Sequence, residues 1–414
     1  MKMRLSILVV AAVLLSFVPA PKTPIVHGQD GITFWLTGDD TGAAILQEVA
    51  DKWTETSGVP VTVTAVGWGD AYAQALAAVA DGSGPDIIAG GMSWGISLGS
   101  LGGMIDLGER YPEEIAQIAE ISNPAFYEAI LTTEGNVYYI PYNLDIMLMY
   151  YRTTTFEAAG LSAPATWEEV AAAADAGLMG GWSWGNTSWI GFQGILKQAG
   201  ADWYTEDCSA AAIDSEEGLA ALEFFTALYE DYGFPAEQVN IADGFAAGTL
   251  DYAFSGEWEA TGINVAHPDL EGTWAVAPVP AGPTGSFNAF IGGKGMGIFS
   301  YSENVDAAFE FMMYLSTREA QEMLTELSIT NANSIHVPPQ VENYDLIKGG
   351  DDVQAALASQ LSDAAGPPIC PGWEESNADV DLVLQSVLFE EKDFEEALAE
   401  ISDILNAGIE EYGG

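Results

Sequence analysis

A chain of 414 residues is longer than one ordinary core serves and points to two domains. Its 49% hydrophobic and 17% charged residues belong to a globular protein and not to a disordered one. With 61 acidic residues against 11 basic ones, the formal net charge of -50 argues against nucleic acid and anionic membrane surfaces as partners, since both would be repelled.

The first 28 residues read as a secretory signal. Lys2 and Arg4 precede the apolar run LSILVVAAVLLSFV, and cleavage is expected after Ala20 or Gly28. No cysteine stands near that point, so a lipid anchor is not expected, and no later run is long enough to cross a bilayer. A secreted or periplasmic protein, not inserted in the membrane after cleavage, is the expectation.

From there the pattern alternates. ITFWL is a buried strand, AAILQEVADKWTETSG a helix closed by Gly58, VPVTVTAV a second strand, and PDIIAGG a third. Between the second and third strands, Asp70 is expected to cap a helix carrying the stripe Tyr72, Ala75, Leu76, Val79. This β-α-β-α-β order predicts an α/β fold with a parallel sheet covered on both faces, in which ligands sit beyond the carboxyl ends of the strands. Asp39, Trp68, Asp70 and Trp94 all fall there. Downstream, NVYYIPYNLDIMLMYY is strand-like, Thr166-Trp167-Glu168 opens a helix, and residues 180–194 form a loop rich in Gly and Trp. The segment 216–233 is an amphipathic helix, strands precede Gly256-Glu257-Trp258 and follow Gly292-Gly293, and the tail from 380 to 409 holds one or two helices.

The chain has two cysteines, Cys208 and Cys370, and in an oxidising compartment they are expected to pair. His27, His267 and His336 are the only histidines and none neighbours a cysteine in sequence, so no metal and no cofactor is expected.

Aromatic planes beside carboxylates and amides suit carbohydrate, whose C–H faces stack on indoles while its hydroxyls take hydrogen bonds at the ring edge. Trp68, Trp94, Trp182, Trp184, Trp189, Trp258 and Trp373 all stand in loops or at strand ends beside Gly, Asn, Asp or Glu. Trp53 and Trp167 sit in helical patterns and are read as packing residues.

In order and spacing, the segments FWLTGDDTGAAILQEVADKWTETSGVPVTV, VGWGDAYAQALAAVADGSGPDIIAGGMSW, GNVYYIPYNLDIMLMYYRTTTFEAAGLSAPATWEEV and FAAGTLDYAFSGEWE resemble the extracellular solute-binding proteins of ABC sugar importers, the maltose-binding-like family 1. The resemblance implies a type II periplasmic-binding-protein fold of two α/β lobes hinged by crossing segments near 141–144, 275–279 and 328–333. It divides the chain into residues 29–143 plus 277–328 and residues 144–276 plus 329–414. The implied activity is capture of a mono- or oligosaccharide by a monomer and its delivery to an ABC permease, without catalysis. Carried over position by position, the implied contacts are Asp39, Asp40, Trp68, Asp70, Trp94, Asn143, Asp145, Glu257, Trp258, Gly292, Gly293 and Trp373. Glu257 stands where the family usually has proline, and TNANSIHVPP lacks the arginine of the family's Pro-Ala-Arg region. Two other functions fit part of the pattern: a cationic solute such as a polyamine or choline-like compound in an aromatic cage, and a secreted glycosidase using two carboxylates.

Overall fold

The computed structural model describes residues 31–413 apart from 133 and 391, so the expected signal segment lies outside the described residues. Three parallel strands come first: β1 (Ile32–Thr37), β2 (Val61–Val66) and β3 (Ile87–Gly91), with β1 between the other two. The helices α1 (Asp40–Ser57) and α2 (Trp68–Asp81) connect them. Asp39 caps α1, its Oδ1 accepting from the Gly42 N–H at 2.8 Å, and α1 buries Ile45, Leu46, Val49 and Trp53. Asp70 does not cap α2 as the sequence suggested. The helix begins two residues earlier at Trp68, Gly67 is its cap, and Asp70 stands exposed in the first turn, where its charge suits the positive helix end.

The sheet continues through β7 (Ala289–Ile298), which is antiparallel to β3, and then β4 (Ile140–Tyr151) and β5 (Tyr252–Gly256). Two short strands join it, β6 (Ala275–Ala277) on β4 and β8 (Ala364–Ala365) on β7. The twelve-residue β4 belongs to two environments. Its first part, from Ile140 to Ile146, pairs with β7, and its second, from Met147 to Tyr151, pairs with β5. Pro141 has no N–H to give the ladder, and the register shifts between Pro141 and Asn143.

Of the segment expected to return between the lobes, 275–279, the first three residues form β6. β6 stays beside the far end of β4, whereas β7 pairs with β8 at Ala289 and Phe290 and with β3 from Lys294 onward, so β7 links β8 at one end to the parallel strands at the other. The helix Arg318–Leu327 runs into a π-helical turn, Ser328–Ala332, that ends at Asn333 in the left-handed region (φ 48°).

Three apolar clusters fill the fold. One packs α1 and the helix Val305–Leu315 on β1 and β3; one lies on the other face of the sheet; one joins the helices Trp189–Ala199, Glu216–Glu230, Trp373–Glu390 and Phe394–Tyr412. Trp53 is buried against Phe311, and Trp167 stacks on Phe224 at 4.0 Å, both in packing roles. Cys208 and Cys370 are bonded across 162 residues, with Cα atoms 5.4 Å apart. A loop of that length is worth about 5 kcal/mol in the chain-entropy view. Replacing both cysteines by serine is therefore expected to lower the unfolding free energy by several kcal/mol in denaturant melts; an unchanged midpoint would show that the cross-link adds nothing. Among the described residues, no helix is long and apolar enough to cross a membrane.

Candidate functional site

A cavity of about 1130 Å³ opens where β4 and β7 pass between the halves of the sheet. One wall comes from the first half. Trp68 opens α2, and Trp94 opens α3 (Trp94–Ser100) directly after β3. Their rings meet edge to face at 5.7 Å, and Tyr72, one turn along α2, lies 5.2 Å from Trp94. The opposite wall is built by Trp184, Trp189, Trp258 and Phe290. Trp184 contacts Trp258 at 4.9 Å and Phe290 at 5.3 Å, and Trp189 meets Phe290 edge-on at 5.3 Å. Small residues make room for these rings: a Cβ on Gly91 would lie 2.7 Å from the Trp94 indole, and one on Gly256 would lie 1.9 Å from that of Trp258.

Polar groups line the floor. Asn143 and Asp145 face the cavity from β4, and the Asn143 amide donates to Asp145 Oδ1 at 2.8 Å while its own Oδ1 has no protein partner. Burial pushes the Asp145 carboxyl up, against the opposing pull of Lys294 and Asn143. Lys294, on β7, makes no ion pair among the described residues; its ammonium stands over the Trp68 ring, 5.3 Å from the centroid. His336 donates to or accepts from Gln321 through Nε2 at 2.9 Å, and burial together with Lys294 brings its pKa down to about 3, so it is neutral near pH 7. Asp39, Ser93 and Glu374 complete the polar edge.

Of the twelve expected contacts, the structure brings Asp39, Trp68, Trp94, Asn143, Asp145, Trp258, Gly292 and Gly293 to this cavity. The other four stand elsewhere. Asp40 is exposed as the first residue of α1, and Asp70 is exposed on α2. Trp373 is only 2% exposed, enclosed by Trp189, Trp203 and Tyr204, because it starts a helix whose inner face is core. Glu257 is wholly buried below the cavity. Its Oε2 accepts from the Ile146 N–H at 2.8 Å, its Oε1 has no partner, and burial plus the charge of Asp145 hold its carboxyl well above the usual range.

Sequence reasoning left out Tyr72, Lys294, His336 and Glu374, and it named Trp184 and Trp189 only among the loop indoles and not as contacts. Lys294 offered a signal: it is one of 11 cationic residues in the chain and sits between glycines on a predicted strand.

Gly293 has a backbone reason of its own. Its φ is 115°, and a Cβ there would lie 2.2 Å from the Asn143 carbonyl oxygen on the paired strand. Gly293→Ala is expected to cost roughly 1–3 kcal/mol from strain alone and to displace Asn143 from the cavity floor. Urea unfolding of the variant tests this, and wild-type stability would overturn it.

The family of bacterial extracellular solute-binding proteins matches residues 37–322. A binding protein of Brucella abortus (strain 2308) is 25% identical over 260 residues, which cover 58% of this chain and 60% of that protein. The chain thus spans about 60% of the length of the curated relatives it first matches. Among solved structures, the solute-binding protein of an ABC transporter from Thermotoga lettingae, bound with alpha-D-tagatose, is 25% identical with a TM-score of 0.76, over 91% of this chain and 99% of that one. The sugar-binding protein of Xanthomonas citri is alike in fold, with a TM-score of 0.78 at 21% identity, over 92% and 98% of the two chains. The architecture is the two-lobed α/β arrangement of type II periplasmic sugar-binding proteins.

Proposed function

Because this chain belongs to the bacterial extracellular solute-binding protein family, we propose that it captures a mono- or oligosaccharide in the cleft and presents it to an ABC permease. The observation that carries this reading is the pair of aromatic walls, Trp68–Trp94–Tyr72 on one side and Trp184–Trp258–Phe290 on the other, facing each other across a floor of hydrogen-bonding groups. Sugar rings present flat C–H faces to indoles and hydroxyls to the rim, which is the chemistry these walls and this floor supply. A cleft of about 1130 Å³ with two separate stacking surfaces favours an oligosaccharide over a single ring. The tagatose of one structural neighbour supports a sugar as the ligand class.

A cationic solute is disfavoured by Lys294, whose ammonium already stands over the Trp68 face that such a ligand would use. A hydrolase is disfavoured by Glu257, which is buried beneath Asp145 and hydrogen-bonded to backbone where a second catalytic carboxyl would need to reach the sugar.

The proposed mechanism is a population shift. In an open form the two walls are apart; a sugar that touches both makes closure favourable. In this reading the lobes hinge along β4, β7 and the π-helical turn 328–332, and the pairing of β7 with β8 at one end and β3 at the other supports a division inside β7. The protein acts as an extracytoplasmic monomer. Calorimetry against a panel of sugars, with mass spectrometry of solute carried through purification, tests the proposal. Heat from a polyamine or choline and none from any sugar would overturn it.

A further inference from the structure

The cleft ends at a wall of side chains that reach across from one half of the protein to the other. On the second half, Glu374 and Glu375 open the helix Trp373–Glu390. Glu374 Oε1 accepts a hydrogen bond from Ser93 Oγ, beside α3. Glu375 Oε1 accepts from Ser97 Oγ of α3 at 2.5 Å and from Tyr72 Oη of α2 at 3.1 Å. Behind this wall lies a second groove of about 460 Å³, also between the halves, floored by the Cys370 segment and bordered by Leu101 and Tyr412. Ser93 and Glu374 are the two residues that face both spaces. Tyr72 faces only the cleft, and Ser97 and Glu375 only the groove, so the Tyr72–Glu375 hydrogen bond crosses the partition, Ser93–Glu374 lies in it, and Ser97–Glu375 backs it from the groove side.

We propose that this wall is the end stop of the binding cleft: it limits the number of sugar rings accepted, and opening it would let a longer chain run on into the groove. The inference rests on a sugar occupying the cleft. Glu375 Oε1 holds two hydroxyls at once and Glu374 a third, so a ligand does not push through the wall without breaking hydrogen bonds that join the two halves. The carboxylates are also held in place. Trp373 just before them is packed in core, and Cys370 is tied to Cys208, which leaves the start of this helix little freedom to swing aside. The groove itself has the size of a small-ligand pocket, which runs from about 300 to 1,000 Å³. Its rim carries Tyr412, 40% exposed, an aromatic face on which a further ring can stack.

The test is calorimetry of the full chain with malto-, cello-, xylo- and manno-oligosaccharides of increasing length. For the series that the wild type binds, affinity is expected to fall beyond a limiting length. In Glu374→Ala/Glu375→Ala the limit moves outward by at least one ring, with a gain of about tenfold for the chain just past the wild-type limit. Ser93→Ala/Ser97→Ala, which removes the partners from the other side, is expected to move it in the same direction and serves if the first variant melts too low. A limit that stays put in both folded variants overturns the end stop alone, as does a wild type indifferent to length. A wild type that binds no member of any series overturns the sugar reading and the stop with it.

Discussion

Trp68→Ala weakens sugar binding by about thirtyfold or more and leaves the melting temperature almost unmoved. The indole is 50% exposed at the start of α2, touches Trp94 only edge-on, and has Lys294 poised over its free face. Truncating a tryptophan that closes on a ligand typically removes at least about 2 kcal/mol of binding energy. So little of this ring is buried that folding loses almost nothing. Trp94→Ala behaves differently. That ring is 9% exposed and lies over Gly90 and Gly91, so its loss leaves a cavity that costs about 3–5 kcal/mol of stability as well as affinity. Calorimetry and thermal melts of the two variants separate the roles. A Trp68→Ala protein that binds as the wild type does, or melts as low as Trp94→Ala, would sink the assignment.

That contrast shows what the sequence could and could not say. The strands β1 to β3 and their helices are legible because the apolar period switches cleanly between two and 3.6 residues, and the parallel order then places Asp39, Trp68 and Trp94 at the carboxyl ends of strands. Which side of an indole meets solvent is not written in the period. Trp94 and Trp373 both follow short polar or glycine-bearing stretches, yet one edges the cleft and the other is core, because only the second lies beneath the helix Phe394–Tyr412 and the disulfide-linked segment. The second wall was harder still. Trp189 reads as part of a loop but begins a helix, held there by its backbone N–H donating to Asp381, nearly two hundred residues on. Glu257 stands in a motif associated with the ligand, but its carboxylate turns inward to the Ile146 N–H left beyond the end of the β4–β5 ladder.

Mild acid stabilises this protein: the melting temperature is expected to rise by several degrees from pH 8 to about pH 5. The sign follows from carboxyls whose folded pKa lies above the unfolded values, near 4. Burial and the charge of Glu375 push Glu374 up to about 7, against Ser93 and Asn377, and burial raises Asp381 to about 6, against the Trp189 N–H. Glu257 and Asp145 are raised by burial, Glu257 further by the charge of Asp145, while Lys294 opposes both. Each such group holds its proton more tightly folded than unfolded. Its contribution is therefore complete below the unfolded pKa and is lost as pH climbs through the folded one. Glu374 and Asp381 each shift by roughly two units at about 1.4 kcal/mol per unit, and part of that is screened because Glu374 edges the cleft; the sum is on the order of 2–4 kcal/mol. Neutralising some of the -50 charge works in the same direction. The gain ends where Asp106, Asp306 and Asp345 protonate, since hydrogen bonds and, for the last two, arginines hold those carboxyls low and their contribution disappears as pH falls through the folded values. Glu374→Gln isolates the largest resolved contributor: the variant should melt above the wild type at pH 8 and level with it near pH 5. A wild-type melting temperature that is flat or rising between pH 5 and 8, or a Glu374→Gln profile parallel to it, would mean that these buried carboxyls do not govern the acid response.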